Sequence, residues 1–177
     1  LIGADSGTIS ISKIIDGRSW LVIEDETGQL IGAKSRGWMK SKIPQLPVGG
    51  EEIPYGKRSL NGYVAHTARP SIITNVENEK NGFYKSLSSQ IKSELAVPII
   101  HGNHVLGVIN QDSFRKNFFT QEHQKILQII SSLISPKVYN LKQIEILKQE
   151  IGQLRQDIEY RDPKVSSYHF GNVIGKS

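Results

Sequence analysis

The stretch from Ile91 to Asp112 constrains this chain more than any other. Two runs rich in apolar residues, IKSELAVPII and HVLGVINQD, flank His101-Gly102-Asn103-His104. Gly102-Asn103 suits a two-residue hairpin turn, because both residues tolerate the positive φ angles such turns require. Two long antiparallel strands follow, and with them a sheet. Pro98 sits inside the first run and removes one ladder donor, which argues for an edge position or a bulge at that point.

A second hairpin opens the chain. SGTISISKII and SWLVIED flank Asp16-Gly17, and Thr27-Gly28 turns the meander into a third strand at QLIGAKS. RGWMKSKIPQLPVGGEEIPYGK, with Pro44, Pro47 and Pro54, reads as a long irregular excursion, of a kind that is usually functional or mobile. SLNGYVAHTA returns to helical spacing, with Ser59 placed to cap the first turn and Arg69-Pro70 as the stop. RPSIITNV reads as a short strand and NEKNGFYKSLSSQ as a polar segment with a short helix. From Thr120 a long helix begins. Antiparallel strands with helices inserted imply an α+β sheet covered by helices.

The first residue is Leu, and LIGADSG reads as the end of a helix running into a strand, so the chain is expected to be cut from a longer protein. It has no cysteine, which removes disulfides, thiolate metal sites and cysteine nucleophiles together. No apolar run reaches the ~20 residues of a membrane span, and a cytoplasmic location is the default. The net charge of +5 is spread along the chain, so no nucleic-acid or membrane partner is expected. Lys34, Arg36, Lys40 and Lys42 cluster around Trp38, either as a solvated loop or as an anion-binding lip.

Catalytic and metal patterns are weak. His101 and His104 have no third ligand beside them, His66 reads as a boundary residue of its helix, and Gln121-Glu122-His123 lacks the second His of a zinc-protease helix. There is no G-x-S-x-G elbow. The chain is therefore expected to be a regulatory fragment and not an enzyme, with no metal and no evident cofactor.

SLNGYVAHTARPSIITNV, IKSELAVPIIHGNHVLGVINQDS and FTQEHQKILQIISSLI, in that order, resemble GAF domains, which are small-molecule sensing modules. Ala68 stands where the family usually has the Gly of a turn, which questions a left-handed cap to the helix. The resemblance implies an antiparallel sheet of five or six strands with a ligand cup on one face. Residues 36–58 and 75–90 would roof it. The implied ligand-binding residues are Arg36, Trp38, Tyr55, Arg58, Phe83 and Tyr84, with Ser59 and Asn75 at element starts. Aromatic walls suit a small ligand and two arginines an anionic one; the alternative is that the aromatics close a core and the arginines are solvated. The Asp-Glu that follows Phe in cyclic-nucleotide-binding members is missing after Phe83. Free-methionine-sulfoxide reductases of this fold and thioether-linked tetrapyrrole sensors need cysteines that this chain lacks.

Beyond the domain, Ile144, Leu147, Ile151, Leu154 and Ile158 keep a 3,4,3,4 spacing, a heptad seam with Ile at a and Leu at d. That choice favours a parallel two-stranded coiled coil, hence a homodimer. Glu150 at g and Arg155 at the following e form an attractive interchain pair. Lys137 and Asn140 interrupt the seam upstream, and Pro136 predicts a kink or splay. A second stripe, Leu127, Ile130, Ile134, Val138 and Leu141, can pack on the sheet.

Asp162-Pro163 ends the helix. GNVIGKS, at the end of the chain, has only Asn172, Val173 and Ile174 where a phosphate loop needs four residues. FGNVIGKS is instead similar to the entry segment of the AAA+ ATPase domain in sigma-54-dependent transcription activators. The expected organisation is a GAF sensor over 1–135, a coiled-coil signalling helix over 136–162, and over 163–177 a linker running into an ATPase domain. The expected function is small-molecule control of a sigma-54 activator. The alternatives are control of a histidine kinase, cyclase or phosphatase, or a ligand-free dimerisation module.

Overall fold

In the computed structural model, residues 2–22, 46–49, 52–53, 58–78 and 89–161 are described. The hairpin at the heart of the sequence is present: β5 (Ser93–His101) and β6 (His104–Ser113) pair antiparallel, closing on His101 and His104 with Gly102 at φ 57°. The first hairpin joins β1 (Ser6–Ile15) to β2 (Arg18–Val22). Its turn residues Asp16 and Gly17 both have positive φ, 49° and 73°, as a type I′ turn requires. With β3 (Leu46–Pro47) and β4 (Ser71–Ile73), the strands form one antiparallel six-stranded sheet in the order β3-β2-β1-β6-β5-β4.

β3 lies within the segment read as irregular, and its two residues pair with Trp20 and Leu21. The third strand expected at QLIGAKS lies outside the described residues. In the segment after β4, Val76–Asn78 form a single 3-10 turn.

The pleat separates two faces. Ser10, Val108, Ala96, Asn110 and Glu94 lie on one of them, and α1 (Leu60–Thr67) packs there. Leu60, Val64 and Ala65 of α1 form a core with Leu21, Ile73, Ala96 and Val108. Gly62 permits the approach: a Cβ on it would run into the carbonyl oxygen of Pro47. Ser59 caps α1, its Oγ accepting from Gly62 N at 3.0 Å. At the other end Ala68 takes the left-handed conformation (φ 54°, ψ 27°) despite its Cβ, so the doubt about that cap is removed. Leu95, Val97, Ile99 and Ile109 are buried on the opposite face.

Pro98 satisfies the edge reading and keeps its regular register with Val108, the irregularity falling beyond it. β4 covers only Glu94, Leu95 and Ala96 of β5, so Pro98 lies just past the covered stretch, and the register shifts between Ile99 and Ile100.

α2 (Gln121–Arg161) starts at Thr120, whose Oγ1 accepts from His123 N while His123 Nδ1 accepts from Thr120 N, both at 3.4 Å. This is a capping box with His in the place of Glu. α2 runs uninterrupted through Pro136, although the chain divides into two compact units between Pro136 and Lys137. In the first unit the buried positions of α2 are Leu127, Ser131 and Ser135; Ile130 and Ile134 are half-buried. The predicted packing stripe is thus present in this unit, and two buried serines flank it. In the second unit Val138 is half-buried and Leu141 is 57% exposed.

Candidate functional site

On the α1 face, where the core should be apolar, β5 and β6 place a polar floor. Asn110 Nδ2 donates to Asn61 Oδ1 of α1 at 2.9 Å and also to Glu94 Oε1, so both amide hydrogens are used. Glu94 and Asp112 stand directly opposite each other across β5 and β6, 5% and 8% exposed. Ser6 Oγ of β1 donates to Asp112 Oδ2 at 3.0 Å. Burial pushes the Asp112 carboxyl up to about 6, with the Ser6 hydrogen bond working against it. The floor is therefore a pair of buried carboxylates on β5 and β6, met by the Ser6 hydroxyl of β1 and the Asn110 amide and anchored to α1 by an amide pair.

Of the ligand-binding residues expected from sequence, Arg36, Trp38, Tyr55, Phe83 and Tyr84 lie outside the described residues. The other three are engaged locally. Arg58 Nε donates to the carbonyl of Ile53 at 2.5 Å. Ser59 spends its hydroxyl lone pair on the α1 cap. Asn75 Oδ1 accepts from Glu77 N at 3.2 Å and opens the 3-10 turn. Sequence reasoning missed Asn61, Glu94, Asn110 and Asp112. Their signal was present in the alternation: Asn110 and Asp112 are two apart in a strand, on the face that should have been apolar.

The seam residues Ile144, Leu147, Ile151, Leu154 and Ile158 are 48%, 55%, 51%, 60% and 49% exposed on α2. Among the described residues no helix is long and apolar enough to cross a membrane, and no group of three or more His, Asp or Glu side chains could hold a metal ion.

Residues 11–136 match the GAF domain family model. No curated protein matches the sequence. Among solved structures, the fold is similar to the GAF domain of a phosphoenolpyruvate-protein phosphotransferase from Coxiella burnetii, with 14% identity and a TM-score of 0.60, covering 82% of this chain and 77% of that one. It is also similar to the free methionine-R-sulfoxide reductase of Neisseria meningitidis in complex with its substrate (17% identity, TM-score 0.58, 80% and 71% covered). The type II free methionine-R-sulfoxide reductase of Thermoplasma acidophilum is a third (19% identity, TM-score 0.52, 77% and 80% covered).

These likenesses show the fold alone, but they correct one expectation. Reductases stand beside regulatory domains on this fold, so the reading of the chain as a non-enzyme is overturned and its enzyme status is open. The family match covers well over half of the chain, and the chain belongs to the GAF domain family of sensory and regulatory modules.

Proposed function

We propose that this GAF domain binds a small molecule over the α1 face and passes its state through α2 to an output domain. The observation that carries the reading is the buried floor of Asn61, Glu94, Asn110 and Asp112. Burying carboxylates costs free energy unless something compensates, and stability alone would be better served by apolar residues at these positions. A floor of acceptors favours a ligand that brings donors, an ammonium group above all. The Neisseria reductase, which acts on an amino-acid derivative by its name, was solved with its substrate bound and lends the class a precedent. An amino-acid-like zwitterion would set its ammonium on the floor, leaving its carboxylate for an arginine, with Arg36 and Arg58 as candidates.

Thermal melting against amino acids, 2-oxo acids and cyclic nucleotides tests this. Amine-bearing compounds are expected to raise Tm, with about 4 kcal/mol of stabilisation at ~1,000 times Kd. Glu94→Gln and Asp112→Asn are expected to remove most of that shift while leaving the domain folded. A panel in which no compound moves Tm would count against ligand sensing altogether.

The output is proposed from sequence. The FGNVIGKS segment and the Ile/Leu seam support a sigma-54 activator whose two copies are joined by a parallel coiled coil, a bacterial protein of the cytoplasm. A ligand shifts such an arrangement only by its difference in affinity between the two states. The residues following Ser177 are the discriminating observation: a Gly-x-x-x-x-Gly-Lys loop and then Gly-Ala-Phe-Thr-Gly-Ala are expected. A kinase, cyclase or phosphotransferase sequence there would replace this output and leave the sensing reading intact.

A further inference from the structure

Past the end of β4, two carbonyls of β5 point outward from the sheet, and α2 meets both. Ser131 Oγ donates to Pro98 O at 2.6 Å and Ser135 Oγ donates to Ile100 O at 2.5 Å. The geometry fits because four residues along a helix advance about 6 Å, close to the span of about 6.7 Å for two residues along a strand. The two serines are 4% and 3% exposed. Leu127 is the one buried apolar residue of α2 between Gln121 and Pro136. Beside the serines a cleft of about 140 Å³ opens between Pro70, Pro98, Gln128 and Ser132, so the contact is incompletely filled. The helix face is thus held by two directional bonds beside the buried Leu127 and the half-buried Ile130 and Ile134.

We propose that Ser131 and Ser135 form a releasable latch, which fixes α2 to β5 and makes its first four turns the most readily released element around the sheet. β5 carries Glu94 near one end and the latched carbonyls near the other, so a ligand acting on the floor pulls on the strand that holds the latch. This signalling use rests on the sensing reading above; the latch itself needs no ligand. Hydroxyls that hold register can be exchanged for solvent at low cost, whereas a helix face packed as a dry apolar layer cannot.

Amide hydrogen exchange of the whole chain, without ligand, tests it. In the wild type, Gln124–Ser135 should exchange by local opening, faster than Leu95, Val97, Val108 and Ile109 in the sheet. Ser131→Ala with Ser135→Ala should accelerate the helical amides on the order of tenfold or more and leave the strand amides unchanged. Ser132→Ala is the matched control, since its hydroxyl donates within the helix to Gln128 O at 2.9 Å; it should behave as wild type. If the double variant fails to fold, each single variant should show the same local effect at smaller size. Unchanged helical exchange overturns the latch, as does acceleration shared equally by the strands or reproduced by Ser132→Ala. Loss of the latch with ligand shifts in Tm preserved would leave the sensor standing, and the reverse result would leave the latch standing.

Discussion

Asp112 and Glu77 are acids shifted in opposite directions by opposite surroundings. Glu77 lies at the surface between Lys92 and Lys116, with Oε1 2.7 Å and Oε2 2.5 Å from the two ammonium groups. The hydrogen bond from Lys116, and then that from Lys92, lower its carboxyl to about 2. What it contributes is present above the ordinary carboxylate range and is lost as pH falls toward that value. Asp112 works the other way. Its folded-state pKa, raised from 3.8 to about 6, means that the folded domain binds the proton more tightly than the unfolded chain does. Its contribution to stability is fully present below the unfolded value of 3.8, is lost as pH rises through about 6, and levels off above it. The loss is about 3 kcal/mol, from the usual free-energy equivalent of a pKa unit. Urea midpoints between pH 4 and 8 should show this slope in the wild type and a flatter profile in Asp112→Asn, with the two proteins converging at the acid end. Parallel profiles would mean that Asp112 is solvated after all.

Elements differ in how much of their cause is local. The two hairpins were legible because Asp16-Gly17 and Gly102-Asn103 carry their turn geometry in their own backbones, and α1 was legible from Ser59 and the Pro70 stop. β3 was not, because Leu46 and Pro47 are a strand only by virtue of Trp20 and Leu21 beside them. The face of α2 that meets the sheet was legible only in part: Leu127, Ile130 and Ile134 carry the periodicity, but two of its three buried residues are serines, and hydrophobic periodicity does not register a hydroxyl that satisfies a strand carbonyl. The floor of the site was hidden in the same way, as polar residues on an apolar face. Pro136 was expected to kink or splay α2; it stands inside one helix that continues to Arg161, and the boundary between the two compact units falls directly after it. Proline still removes one intrahelical hydrogen bond and crowds the carbonyl four residues earlier, here that of Ser132. Pro136→Ala should therefore strengthen the helix by about 3 kcal/mol. The measurable result is helical circular dichroism that persists to higher temperature, together with slower amide exchange on both sides of position 136. Identical melting in the two proteins would show that the helix absorbs the proline without strain.

For the molecule as a whole, the open question is how many copies act together. Ile144, Leu147, Ile151, Leu154 and Ile158 are each about half exposed, an apolar run that a lone helix in water has no reason to keep. Ile151→Lys places a charge at the middle a position, and equilibrium sedimentation is expected to report a dimer for the wild type and a monomer for the variant. A wild type that sediments as a monomer at all concentrations would remove the seam. The sheet itself offers assembly no alternative at its β5 border. There Pro98 has no amide hydrogen to give, and the carbonyls of Pro98 and Ile100 are already taken by α2. A foreign strand finds no ladder to extend, so the same two contacts that hold the helix also guard the domain against edge-to-edge aggregation at the concentrations where partly opened sheets polymerise.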